Sequence, residues 1–129
     1  MFKKYNDTPA AIAMGLLTLA MIFWVGMMLF SPETLLSGRG IDVTAAPLAR
    51  FMGLTWLGFL VGVIFTFVNG PDGQKVFFNA LLVAQIATAI ANWSLYFAND
   101  VGTLGGDVIP DVVITVLFLF AYFRIRARL

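Results

Sequence analysis

Residues 9–30 read PAAIAMGLLTLAMIFWVGMMLF, and no charged side chain occurs between Asp7 and Glu33. A helix needs about 20 mostly apolar residues, rising about 1.5 Å each, to cross roughly 30 Å of hydrocarbon. This run meets that length. Pro9 suits a first helical turn after Asp7 and Thr8, and Ser31-Pro32 supplies a stop. Two lysines precede the run, as they would in a secretory signal, but the run is too long for one and lacks a small-residue cleavage pattern. It reads as a retained spanning helix.

Three further windows follow, over about residues 47–68, 75–98 and 108–126. Asn69-Gly70-Pro71-Asp72-Gly73 is a strong turn between the second and third. From Pro110 to the residue before Arg124 the fourth would be only about 21 Å long, so one of its ends must carry charge into the interface. Arg124 can snorkel there, whereas Asp111 is too short to do so. The connection from Ser31 to Ala46 is expected to be a partly ordered loop at the membrane surface.

With 129 residues, 60% of them hydrophobic, and a mean hydropathy of +0.92, the chain holds more apolar surface than a soluble core of that size can bury. The expected fold class is all-α: a polytopic membrane protein with one domain over residues 1–129, its four transmembrane helices forming a bundle. An even number of spans puts both termini on one side. That side holds Lys3, Lys4, Lys75, Arg124, Arg126 and Arg128 against Asp7 and Asp72. The other holds only Arg39 and Arg50 against Glu33, Asp42, Asp100, Asp107 and Asp111. The Lys/Arg bias predicts that both termini are cytoplasmic.

Composition also excludes functions. The net charge of +1 comes without a basic stripe, so no nucleic-acid partner is expected. The chain has no Cys and no His, which removes thiolate chemistry, Cys-based metal sites, the usual haem ligand and the commonest general base. Ser31, Ser37 and Ser94 have no base nearby in sequence, and no phosphate-cradling loop or metal-ligand spacing occurs. No enzyme activity, cofactor or metal is expected.

Three groups of residues stand out as candidates. On the third helix Gln85, Thr88, Asn92 and Asn99, with Tyr96 beside them, share one face. Lipid exposure of these groups would cost several kcal/mol each, so the face should turn toward protein, as interhelical hydrogen bonds or as the lining of a ligand site. On the second helix Gly53, Gly58 and Gly62 include a small-xxx-small pair that permits close approach, within the fold or to another membrane protein. Arg50 and Asp111 open their helices on the same side, and are expected to form an interfacial ion pair, with an anion or headgroup site at Arg50 as the alternative. Trp24, Trp56, Trp93, Tyr5, Tyr96 and Tyr122 mostly fall toward helix ends, as an aromatic belt would.

A first helix ending in Phe30-Ser31-Pro32-Glu33, then Ala46-Pro47-Leu48-Ala49-Arg50-Phe51-Met52-Gly53 opening the second, resembles the small DoxX-like four-helix bacterial membrane proteins. The similarity in layout covers nearly the whole chain. The resemblance implies a bacterial inner-membrane location and an accessory role, some members being membrane subunits linked to oxidoreductase complexes, with Arg50 as the motif residue carried over. The polar face of the third helix has no counterpart in that pattern. The expected role is a non-catalytic subunit or binding module, in contact with membrane lipids and with a membrane-protein partner or a homo-oligomer. The alternative is a small transporter or oligomeric channel; the absence of a mid-membrane charge favours the first.

Overall fold

Asp7 opens the first long helix, α1 (Thr8–Phe30): its Oδ1 accepts from the Ala10 amide at 2.9 Å, and Pro9 lies in the first turn, where its missing N–H has no intrahelical role. In this computed structural model the backbone is described for residues 2–98 and 105–129, and side chains for 4–98 and 108–129. Ser31 ends α1, and Pro32 starts a short helix, α2 (Pro32–Ser37). Gly40, at φ +67°, turns the chain, and Asp42 caps a 3-10 turn (Val43–Ala45) by accepting from the Thr44 amide at 2.8 Å. That amide holds the Asp42 carboxyl below the usual range. The expected surface loop is thus a built structure.

The next long helix, α3 (Ala46–Asn69), carries Pro47 in its first turn and stops at Gly70, whose φ of +96° suits glycine. After a tight turn come α4 (Lys75–Ala98) and α5 (Gly105–Ile125). The last helix starts several residues before the expected 108. Pro110 therefore sits inside α5 rather than at its start, removing the N–H that would bond the Gly106 carbonyl. The earlier start supplies the length that a helix beginning at Pro110 would lack.

Among the described residues there is no strand, and the four segments Thr8–Phe30, Val43–Asn69, Lys75–Ala98 and Val108–Ile125 are long and apolar enough to cross a membrane. Their outward surface is as apolar as their core. Leu19 is 64% exposed, Phe51 73% and Val76 84%. Water would not tolerate such a belt on a small monomer, whereas lipid does. The chain is an all-α, four-helix integral membrane protein.

The helix α1 is the centre of the bundle, packed against α3 on one side and α5 on the other, while α4 packs on α5. Its alanines at 10, 11 and 13 are buried and let neighbours approach closely. Met14, Val63, Phe78, Leu81, Phe118 and Ile125 fill the half of the bundle nearest the termini. By contrast, the backbones of α3 and α4 make little close contact although the two are consecutive in sequence.

Polar groups fasten this proximal end. Arg128 forks onto Asp72 at 2.9 and 2.6 Å and also donates to the Tyr5 carbonyl, and the Gly73 amide donates to the Arg128 carbonyl at 3.2 Å. Both chain ends and the α3–α4 turn therefore meet on one side. Arg124 Nε donates to Asp7 at 2.9 Å, and this guanidinium, aided by the Ala10 amide, holds the Asp7 carboxyl below its usual range. Tyr5 is fully buried rather than part of an aromatic belt. Its hydroxyl lies 2.5 Å from Thr66 Oγ1, and since Thr66 gives its own proton to the Val63 carbonyl, Tyr5 is the donor. Burial pushes the phenol up to about 12.

Candidate functional site

The opposite, distal half is not filled. A cavity of about 250 Å³ lies there, lined by residues from every long helix and from α2. Met21, Trp24 and Met28 of α1 and Ala49, Met52 and Trp56 of α3 make its apolar walls, and Leu35, Leu36, Arg39 and Ile41 roof it. Its polar wall is Gln85, Thr88 and Asn92 of α4 with Asp111 of α5.

The polar wall is ordered by its own hydrogen bonds. Gln85 Nε2 donates to Asp111 Oδ1 at 3.1 Å and to Thr115 Oγ1 at 3.0 Å. Asn92 Nδ2 faces Asp111 Oδ2 at 3.4 Å, and Thr115 and Thr88 each give their hydroxyl proton to a backbone carbonyl one turn back, those of Asp111 and Ala84. These contacts fix the Gln85 amide orientation, since the flipped amide would set its oxygen against the carboxylate. Asp111 is 8% exposed and Gln85 6%. Burial of such groups is tolerable because each finds a partner inside the bundle.

At the roof, the Arg39 guanidinium sits 4.7 Å from the centre of the Trp24 ring and donates to the Leu35 carbonyl at 2.9 Å. The short helix α2 and the turn after it place Arg39 there. Glu33, at the start of α2, meanwhile reaches Arg50 at 2.9 Å, with both side chains about half exposed.

The expected Arg50–Asp111 pair is corrected by this arrangement. Arg50 donates to Glu33 on the surface, and Asp111 accepts from Gln85 and Asn92 inside. Both residues lie near the distal helix ends, but they occupy different faces: Arg50 is exposed and does not line the cavity, while Asp111 is buried and does. Sharing a depth did not give them a shared direction.

Gln85, Thr88 and Asn92 are brought together, as their spacing predicts. Tyr96 is not: from Ser94 to Ala98 every residue of α4 is exposed, and Tyr96 lies outside the cavity lining. Asn99 lies outside the described residues, as does the side chain of Asp107. The glycines divide. Gly53 packs against Met28 and Leu29 of α1, and a Cβ on Gly62 would run into the Phe77 ring of α4, but nothing stands within 4 Å of a Cβ on Gly58. Gly58 and Gly62 therefore do not form one joint contact face.

Arg39, Thr115 and the roof do not stand out in the sequence, and Trp24 and Trp56, which by position suit an aromatic belt, line the cavity instead. A spacing rule finds partners on one helix, but Thr115 meets Gln85 across two helices and Arg39 reaches the site from a connection. The one available signal was Thr115 itself, one turn after Asp111 on the same face. No protein-family model, curated protein or solved structure matches this chain.

Proposed function

We propose that this protein is a non-catalytic binding module of the bacterial inner membrane, whose distal cavity holds the end of a single-chain, lipid-like molecule. The observation that carries this reading is an apolar chamber with a polar wall in the distal half of the bundle, beside a core of buried apolar side chains. Its 250 Å³ falls just below the roughly 300–1,000 Å³ of pockets that enclose drug-sized ligands, so a single chain suits it better than a two-chain lipid. The loose α3–α4 seam gives such a molecule a lateral route from the bilayer. The closely packed proximal half favours a holding role over a through-path.

Orientation and context belong to the same proposal. The gathering of Lys and Arg at the proximal end supports cytoplasmic termini and a cavity in the outer half of the membrane. Labelling of a Cys at position 39 from the cytoplasmic side alone would overturn that. The module also suits an accessory subunit of a larger complex, as the DoxX-like layout implies, with the open surface at Gly58 left for a partner helix.

The test uses fluorescence in phosphatidylcholine nanodiscs. Trp93 is replaced by Phe, so that emission comes from Trp24 and Trp56 in the cavity wall, and a single-chain amphiphile carrying a spin label quenches it. Saturable quenching that Ala49→Phe abolishes supports the reading. Quenching that rises linearly with label and is the same in both proteins contradicts it.

A further inference from the structure

The two acidic side chains of the proximal end are already taken: Asp7 holds Arg124 and Asp72 holds Arg128. Lys75 and Arg126, both exposed, form no ion pair among the described residues. The fold brings these two cations to one place. Tyr122 donates its hydroxyl to Asn79 Oδ1 at 2.7 Å, tying the end of α5 to the start of the antiparallel α4. Arg126 lies four residues after Tyr122 and Lys75 four before Asn79, so each stands about one turn, roughly 6 Å, beyond that bond on the same side. The Arg126 guanidinium folds back to 5.4 Å from the centre of the Phe123 ring, which is 57% exposed on the outward apolar belt. Val76 of α4, next to Lys75, belongs to the same outward belt.

We infer that Lys75 and Arg126 together bind the phosphate of an anionic phospholipid, in the leaflet that meets the proximal end of the bundle. Two cations held at one margin repel each other, and an anion seated between them replaces that repulsion with two attractions. A phosphate suits the pair: the guanidinium donates to two of its oxygens as a fork, and the ammonium reaches another as a mobile point charge. The phosphate of a phospholipid also arrives at the right height, at the edge of the apolar belt, with its chains lying on surface such as Phe123 and Val76. A zwitterionic head brings its own cation, so phosphatidylcholine has less to gain there. The site is separate from the distal cavity and does not depend on the binding-module reading.

Native mass spectrometry in a neutral detergent measures the first bound lipid as the protein is titrated with phosphatidylglycerol or with phosphatidylcholine of the same chains. Wild type should bind phosphatidylglycerol several-fold more tightly. Lys75→Gln and Arg126→Gln should each weaken that binding about fivefold, the value of one basic residue near an anionic membrane surface, and leave phosphatidylcholine nearly unchanged. Lys4→Gln removes the same charge from an exposed position of the proximal end without touching the pair, and should have little effect. Equal binding of the two lipids by wild type overturns the inference, whatever the variants do. Equal losses in Lys4→Gln and Lys75→Gln would mean a diffuse basic surface rather than a site, and overturn it too. Glycerol phosphate carries the phosphate without the chains and should leave bound lipid in place at the same concentration. If it displaces the lipid as well as free phosphatidylglycerol does, the ligand is a soluble phosphate ester and the lipid assignment is overturned.

Discussion

Gln85 Nε2 donates to Asp111 Oδ1 across 3.1 Å, tying α4 to α5 through two side chains that are both buried. Replacing Gln85 with Leu leaves the carboxylate and the Thr115 oxygen short of a donor in a low-dielectric site, so stability should fall by about 1–3 kcal/mol. Asp111→Leu alone should also destabilise. The double variant should lose less than the sum, because neither survivor remains to be compensated. Thermal unfolding in detergent of the four proteins checks this, and strictly additive losses would contradict the contact.

The Arg50–Glu33 pair should behave differently. Both side chains are about half exposed, so Arg50→Ala is expected to cost under about 1 kcal/mol. Combined with Asp111→Ala its effect should be additive within about 0.5 kcal/mol, as for independent sites. Strong coupling between positions 50 and 111 in the same unfolding assay would restore the ion pair that the geometry replaces.

The contrast between these two pairs shows what the sequence could reveal. The presence of four spans, the start of α1 after Asp7, the turn at Gly70 and the inward face of Gln85, Thr88 and Asn92 follow from local chemistry and helical period, and all are legible in one dimension. Which neighbour Asp111 would meet is not. That depends on the rotation of α5 about its axis and on a short helix, α2, that brings Glu33 back to Arg50. Depth in the membrane can be counted along a chain, but azimuth is set by packing. For the same reason Trp24 and Trp56 read as interfacial anchors, although both line the cavity.

Two glycines one turn apart should respond in opposite ways. At Gly62 an added side chain meets the Phe77 ring, so Gly62→Leu should cost about 1–3 kcal/mol by overpacking, and Phe77→Ala should recover part of it. At Gly58 the space is open, and Gly58→Leu should leave the isolated protein's stability unchanged or slightly raised, since leucine favours helix. Equal effects at both positions in thermal unfolding would mean that α3 is rotated from the orientation described.

Acid should loosen the proximal clasp through Asp7. Arg124 holds the folded-state carboxyl below its ordinary value of 3.8, so Asp7 contributes stability that is present above that value and is lost as pH falls through the folded-state value. Asp7→Asn keeps a good helix cap but not the charge. Its unfolding temperature should lie below that of wild type near pH 7, and the gap should start to close as pH falls below about 4, vanishing only below the folded-state value. A gap that persists unchanged into acid would show that the carboxylate charge is not what matters.

The cavity's polar wall exists only if the polar face of α4 is turned away from lipid. The chain has no native Cys, so single cysteines along α4 can each carry a nitroxide without other changes. Collision rates with oxygen, which concentrates in hydrocarbon, would be measured for labels at positions 83, 85, 88, 90 and 92 in lipid bilayers. Val83 and Ile90 are 68% and 65% exposed and should give high rates, while 85, 88 and 92 should give low ones. Rates at 85, 88 and 92 as high as those at 83 and 90 would place the polar face against acyl chains and contradict the site.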